Sequence, residues 1–266
     1  MVRQALIRHF KVAHLHPERP IKSNFISTRT LLVIRSILTL YCIAAVIVLF
    51  IKNKAIPITY FVFLTHLSYF GITVYFIITT YFTLRSYLHA PTYVPFNNIH
   101  WSFRFIYSLL FQSIMLLAPV VTIVYWSLLF PNDTKLKTDP VYAYQSISMH
   151  ALNLVFCWIE LILCCNMFVF WHFIPLIVIL YLYLPMAILV HKIHGFWIYP
   201  FLNYIDYPIT FTVVVIALLV LAVVLQLIYC YVYKLRDRKG RYDHSFDNIE
   251  KEPYESNQND MNMTQV

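Results

Sequence analysis

The chain has 266 residues, of which 60% are hydrophobic, 18% are aromatic and only 12% are charged. A soluble domain carries about twice that charged fraction, so the composition excludes an ordinary soluble protein. Only three glycines accompany thirteen prolines, which argues against a linker-rich or disordered chain. The composition predicts an integral membrane protein that crosses the bilayer several times.

Basic residues outnumber acidic residues by 20 to 12, an excess that would suggest a nucleic-acid partner in a soluble chain. Here the basic residues crowd the two ends and flank the apolar segments, which is how charge sets orientation in a membrane. We therefore predict no nucleic-acid partner.

Residues 1–30 form a basic N-terminal segment with six Lys/Arg residues and one acidic residue. Its apolar residues recur on one helical face: Val2, Leu6, Phe10 and Ala13. The segment is predicted to lie on a membrane surface as an amphipathic helix. No cleavable signal peptide is expected, because the apolar run begins only near residue 31. A mitochondrial presequence is the weaker alternative.

Six apolar segments are long enough to cross a bilayer, which takes about 20 helical residues. They are residues 31–51, 58–82, 103–130, 147–169, 173–191 and 207–233. Pro119, Pro175 and Pro185 are expected to kink or start helices. We predict an all-α bundle of six transmembrane helices over residues 31–233. The polar residues 234–266 are predicted to form a disordered tail.

The distribution of Lys and Arg predicts that both ends of the chain are cytosolic. The cytosolic side then carries six basic residues in each tail, together with Arg85 and Arg104. The opposite side carries only Lys52, Lys54, Lys135, Lys137 and Lys192. Arg35 lies near the inner end of the first segment, where its side chain is expected to extend to the interface.

Cysteine and histidine spacing gives little support for a metal or a cofactor. The five cysteines all lie in apolar runs and form no CxxC pair, so neither a disulfide framework nor a zinc site is predicted. His191 and His194 have a spacing that could bind a metal or haem, but an aromatic belt at the interface is the ordinary expectation there. We predict no metal and no cofactor.

The fourth segment carries a polar stripe on an otherwise apolar helix. His150, Asn153, Cys157 and Glu160 follow the spacing i, i+3, i+7 and i+10, which places them on one narrow face. Hydrogen bonding between helices is the ordinary role of such groups. Ionisable groups inside a membrane are also candidates for function, and Glu160 is the only acidic residue within a predicted span.

Thr65 and His150 are predicted to lie at comparable depth in the outer part of the bilayer. Thr65 is about 10 Å below the outer start of the second segment, and His150 is within a turn of the start of the fourth. A hydroxyl and an imidazole that meet are the minimum for nucleophilic acyl transfer. His66 points about 100° away from Thr65 and is interpreted as a packing or interfacial group.

Three pieces of the chain resemble a known family. They are "FLT" (63–65), "SMHALNLVFCWIEL" (148–161) and "HGFWIYPFLNYI" (194–205). In this order they are similar to the androgen-induced-gene and androgen-dependent TFPI-regulating protein family of multipass membrane threonine hydrolases, with its fungal relatives. The resemblance implies metal-independent hydrolysis of fatty acid esters of hydroxy fatty acids. It places the family's nucleophile on Thr65 and its histidine on His150.

The resemblance also sets the alternatives. The "HALN" and "YPFL" pieces are similar to the rolling-stone-like membrane proteins, which implies a non-catalytic role in membrane organisation or cell fusion. A transporter or a haem protein is a further alternative. Under the hydrolase hypothesis the partner is a lipid substrate from the bilayer, and Asn153, Glu160 and Asp206 form a supporting polar network. We expect the endoplasmic reticulum or the plasma membrane rather than the mitochondrion.

Overall fold

Six long helices dominate the computed structural model, which describes residues 18–52, 61–89, 94, 96 and 99–239. They are α1 (Thr28–Lys52), α2 (Leu64–His89), α3 (Trp101–Leu129), α4 (Pro140–Leu163), α5 (Phe173–His194) and α6 (Pro208–Lys239). Within the described residues there is no β-strand, only one isolated bridge between Ser23 and Cys164. All six helices are long and apolar enough to cross a membrane, which confirms the predicted number and class of elements.

Short helical turns lie between the long helices and before α1. Single 3-10 turns occur at Arg19–Ile21, Phe130–Asn132, Phe170–His172 and Pro200–Leu202, and one short α-helical turn occurs at Lys135–Thr138. The predicted amphipathic helix falls mostly on residues 1–17, which lie outside the described residues, as do residues 240–266 of the predicted tail.

The predicted bounds of the fourth helix, 147–169, were wrong at both ends. The helix begins at Pro140, because the carboxylate of Asp139 accepts hydrogen bonds from the N–H groups of Val141 (3.0 Å) and Tyr142 (3.1 Å). It ends at Leu163, since Cys164 is extended. The next backbone N–H, that of Cys165, donates to the carbonyl of Lys22 at 3.2 Å instead of continuing the helix.

Two of the helices contain a π-helical turn. In α3 the turn covers Tyr125–Leu129, and in α4 it covers Ser148–Leu152. A π turn bonds residue i to i+5, so it shifts the direction of the side chains relative to a regular α-helix. The regular spacing assumed for the polar stripe therefore does not hold between His150 and Asn153.

The end of α6 is tied to the segment that precedes α1. Arg19 Nη1 donates to Asp237 Oδ2 at 3.1 Å and to the carbonyl of Cys165 at 3.0 Å. Arg236 donates to the carbonyls of Leu161 (3.0 Å) and Asn166 (2.7 Å). Residues 234–239 belong to α6, so this helix extends six residues beyond its predicted end at 233. The first and last described segments meet at the same end of the bundle.

The helices divide into a core bundle, α1–α4, and an outer pair, α5 and α6. The core bundle holds most of the buried apolar side chains, including Tyr69, Ile72, Phe76, Phe111, Met115 and Leu161. The outer pair presents large apolar side chains to the surface along most of its length, such as Tyr181, Leu182, Val213 and Val220. Such a surface is typical of helices that face lipid.

Candidate active site

A cavity of about 120 Å³ lies between the core bundle and the outer pair. Its wall is mostly aliphatic, with contributions from α3, α5 and α6: Val120, Val121, Val124, Leu180, Leu184, Val215, Leu218 and Leu219. Thr65 and His150 line this cavity together, as do four tyrosines, Tyr125, Tyr181, Tyr183 and Tyr199. The two residues singled out by the sequence are therefore brought to one site, although they belong to different helices.

Thr65 is the second residue of α2 and is 8% exposed. The prediction had placed it about two turns into the helix, but α2 begins only at Leu64. The first backbone N–H groups of a helix have no acceptor within the helix, and they carry the positive end of its dipole. Thr65 therefore places its hydroxyl beside a group of N–H donors that a regular position inside the helix would not offer.

Tyr199 lines the cavity beside Thr65. Its phenol lies within hydrogen-bonding reach of the Thr65 hydroxyl and of the N–H groups of Leu64 and Thr65. Burial raises the pKa of Tyr199, although these hydrogen bonds oppose the shift, so the phenol stays neutral and can donate. Beside it, the hydroxyl of Tyr183 donates to the carbonyl of Val62 at 2.8 Å.

His150 lies inside the π turn of α4, ten residues beyond the helix start at Pro140. Its ring stacks flat on Tyr125, with 3.7 Å between ring centroids and 5° between planes. Its backbone carbonyl accepts a hydrogen bond from the indole of Trp126 at 2.8 Å. Within the part of the chain that the structure describes, its buried Nδ1 has no hydrogen-bond partner. The imidazole is thus held by its face and its backbone, and a ring nitrogen is open to a new partner.

Two further ionisable side chains, Asp133 and His66, lie within electrostatic reach of His150. The Asp133 carboxylate accepts hydrogen bonds from the hydroxyls of Tyr125 and Tyr142, each at 2.8 Å. The ring of His66 packs edge-on against Phe63 at 5.2 Å. Asp133 was not among the predicted site residues, because Asp133 lies in a connection rather than in an apolar segment.

The three residues predicted to form one supporting network lie in separate hydrogen-bonded groups. Asn153 Oδ1 accepts from the hydroxyl of Thr122 at 3.3 Å. Asp206 accepts from the side-chain amide of Asn203 at 2.8 Å, in the connection before α6. Glu160 belongs to a buried ion pair described below. Among the described residues, the hydrogen bonds therefore do not join these three side chains into the single network that was predicted.

Glu160 pairs with Arg35 in the interior of the core bundle. Arg35 Nε donates to Glu160 Oε2 at 3.1 Å, and the hydroxyl of Tyr75 donates to Glu160 Oε1 at 2.8 Å. Arg35 also donates to the carbonyl of Pro20 at 2.7 Å and to the hydroxyl of Thr83 at 2.6 Å. Arg35 is 0% exposed, so the expectation that it extends to the interface was wrong. Glu160 supplies the opposite charge that compensates the burial of the Arg35 guanidinium.

The histidines considered for metal or haem lie elsewhere. The ring of His191 stacks on Trp197 with 3.8 Å between centroids, and His194 is 6.2 Å from the ring of Phe196. Over the described ranges no three His, Cys, Asp or Glu side chains are grouped as metal ligands would be. These imidazoles have aromatic neighbours, as the interfacial interpretation expects.

No protein-family model, curated protein or solved structure matches this chain. The membership suggested by the three motifs is therefore a hypothesis that depends on those residues and on the geometry around them. Of the site residues that sequence reasoning missed, Tyr199 lies within the third motif but carried no signal of its own. Tyr125 and Asp133 lie outside all three motifs.

Proposed function

We propose that the protein is a membrane-embedded hydrolase that cleaves lipid carboxylic esters, with fatty acid esters of hydroxy fatty acids as the substrate class. Thr65 is the nucleophile and His150 is the base. The observation that carries the proposal is that these two side chains line the same apolar cavity. The motif resemblance supports the same two residues and the same class of substrate.

The reaction divides into acylation and deacylation. Thr65 Oγ bonds to the ester carbonyl carbon as its proton passes to His150, and the bond to the hydroxy fatty acid then breaks as its oxygen takes that proton. Water attacks the acyl-threonine, with His150 again accepting and returning a proton, and releases the fatty acid. Among the described residues no group bonds to Nδ1 of His150, which supports this role, since a base needs a nitrogen that no other group occupies.

The first turn of α2 and the phenol of Tyr199 supply donors for the negative charge that develops on the carbonyl oxygen. The N–H groups of Leu64 and Thr65 point into the region that Tyr199 occupies. Donors fixed before the reaction stabilise the transition state without reorganising. Tyr199 is placed to share the oxyanion with those N–H groups once a substrate carbonyl replaces its contact with Thr65.

The substrate reaches the site sideways from the bilayer, between α5 and α6. Tyr181 and Leu219 line the cavity and are also exposed on the outside of the bundle, at 66% and 36%. Aliphatic residues such as Leu184 and Leu218 surround the space that acyl chains would fill. An ester with two long chains can place its carbonyl near Thr65 while its chains stay in an apolar environment.

The proposed orientation puts both chain ends in the cytosol and the cavity toward the opposite leaflet, in the endoplasmic reticulum or the plasma membrane. The contact between Arg19 and Asp237 supports ends that share one side. The excess of Lys and Arg at those ends supports the cytosol as that side. Protease protection of tags at each end in sealed microsomes tests this orientation.

A fluorophosphonate probe tests the nucleophile, because it forms a bond to an activated hydroxyl and releases fluoride. We expect the wild type and Thr65→Ser to be labelled, and Thr65→Ala and His150→Ala to remain unlabelled. Thr73→Ala is the matched control, since Thr73 lies on the same helix, is buried and donates a hydrogen bond to the carbonyl of Tyr69 at 2.9 Å. Labelling of Thr65→Ala at the wild-type level would exclude Thr65 as the nucleophile. Absence of labelling and of ester hydrolysis in the folded wild type would favour the non-catalytic alternative.

A further inference from the structure

The aromatic contact on His150 is built by two irregular turns that face each other. Tyr125 begins the π turn of α3, and His150 occupies the middle of the π turn of α4. π turns inside α-helices often occur at functional sites, where they redirect one side chain. Here they bring two rings together in parallel at 3.7 Å between centroids. The plane of the imidazole is therefore set by the plane of Tyr125.

The plane of Tyr125 is in turn fixed at its hydroxyl. Tyr125 is 4% exposed, and its hydroxyl donates to Asp133 Oδ2 at 2.8 Å. The hydroxyl of Tyr142 donates to the same oxygen at the same distance. The buried Ser146 hydroxyl lies within reach of both phenols. One carboxylate thus holds two tyrosines, of which Tyr125 is the one in ring contact with His150.

We propose that Asp133 is a positioning residue, which acts through Tyr125 to hold the imidazole of His150 in the orientation that accepts the proton of Thr65. This inference rests on the proposed hydrolase function. A base that transfers a proton twice in each turnover must keep its ring direction within narrow limits. In a serine-protease triad the carboxylate bonds directly to the imidazole, whereas here an aromatic ring stands between them.

The charge of Asp133 adds to this geometric role. Asp133 and His66 are two ionisable groups within electrostatic reach of His150. A carboxylate within electrostatic reach stabilises the imidazolium that forms when Thr65 loses its proton. Replacing the carboxylate therefore removes both the anchor and the charge, while removing the Tyr125 hydroxyl removes the anchor alone.

Two tyrosine variants form a matched pair that isolates the anchor. Tyr125→Phe and Tyr142→Phe each delete one hydroxyl that donates to Asp133 Oδ2 at 2.8 Å, but only Tyr125 stacks on His150. We expect Tyr125→Phe to lower kcat for ester hydrolysis about 10-fold with KM unchanged, and Tyr142→Phe to lower it less than about 2-fold. Asp133→Ala, which removes the acceptor as well as the charge, should lower kcat at least as much as Tyr125→Phe.

A double-mutant cycle separates positioning from general loss of structure. If Asp133 acts through Tyr125, the variant with both Asp133→Ala and Tyr125→Phe should have the kcat of Asp133→Ala alone, because alanine leaves no acceptor at position 133 for the Tyr125 hydroxyl. Thermal unfolding in detergent identifies any variant that fails to fold, and Asp133→Ala keeps the test available if Tyr125→Phe is such a variant. Equal losses from the two tyrosine variants, additive losses in the cycle, or a loss seen in KM alone would overturn the proposal.

Thr65→Ala in the same assay separates a failure of the positioning role of Asp133 from a failure of the hydrolase function. If Thr65→Ala is inactive while Tyr125→Phe and Asp133→Ala match the wild type, the positioning role fails and the hydrolase function stands. If Thr65→Ala hydrolyses the ester at the wild-type rate, both the proposed mechanism and the positioning role fail.

Discussion

The core bundle and the outer pair differ sharply in how they are packed. In the most apolar stretch of each helix, 33% of residues are buried in α1, 50% in α2, 61% in α3 and 50% in α4, but only 11% in α5 and 11% in α6. The core bundle also contains the buried pair of Arg35 and Glu160, together with the two π turns described above. The difference indicates two structural roles. The core bundle holds Thr65 and His150 in place, whereas the outer pair forms the wall of the cavity that faces lipid.

The largest effect is expected from removal of the nucleophile held by the core bundle. Thr65→Ala should lower kcat/KM for ester hydrolysis by about 10⁴-fold or more. It should change the free energy of unfolding by only about 1 kcal/mol, because the change is small and borders a cavity. Hydrolysis of a long-chain ester and thermal unfolding in the same detergent measure both quantities. A loss of activity that is explained by unfolding of the variant under the assay conditions would contradict a chemical role for Thr65.

The core bundle should lose most stability when its ion pair is broken. Glu160→Ala leaves the guanidinium of Arg35 buried without its counter-charge, and it should lower the free energy of unfolding by about 3–5 kcal/mol. Glu18→Ala is the matched control, because Glu18 pairs with Lys22 in a partly exposed salt bridge. That change should cost less than about 1 kcal/mol. Similar costs at the two positions would show that the ion pair does not hold the core bundle.

Tyr199 tests the connection between the core bundle and the segment that joins α5 to α6. Tyr199→Phe should lower kcat about 10²-fold, since it removes one donor to the oxyanion. Tyr183→Phe removes a neighbouring hydroxyl that donates to the carbonyl of Val62, and the loss there should stay below about 10-fold. Steady-state kinetics with one ester measure both variants. A larger loss at Tyr183 would reverse the assignment of the donor.

The smallest effect is expected in the wall formed by the outer pair. Leu184→Trp should raise KM for a long-chain ester by about 10-fold and leave a short-chain ester nearly unchanged, because the larger ring fills space used by the chain. Leu182→Trp is the control, since Leu182 is exposed on α5 and does not line the cavity. Equal effects on both esters would argue against a chain-binding role for this wall.

The number of helices was predictable from apolar length, whereas their bounds depended on local chemistry. The segment at Pro140 contains tyrosine, glutamine and serine, so apolar length alone placed the start of α4 seven residues too late. Asp139 followed by Pro140 is a sequence signal for a helix start, and it would have corrected the error. The early end of α4 could not be predicted, because it depends on a backbone contact with Lys22 from a distant segment.

The candidate site was predictable only in part. The motif resemblance selected Thr65 and His150, but the depth estimate for Thr65 assumed a helix start that the structure does not have. The π turns leave no simple signature in the sequence, so the stacking of Tyr125 on His150 could not be anticipated. Arg35 and Glu160 are different, because two opposite charges inside apolar segments are expected to find each other. That pairing was available from the sequence and was missed.

The contact between Arg19 and Asp237 has a consequence for how the protein is made. A chain grows from its N-terminus, so Arg19 is synthesised more than two hundred residues before its partner. Until α6 is inserted, the segment before α1 has its contacts with Arg35 and Cys165 but lacks the carboxylate of Asp237. We expect a chain truncated before Arg236 to insert its helices yet remain sensitive to protease near Arg19. Resistance equal to that of the full chain would show that the segment before α1 is held without the last helix.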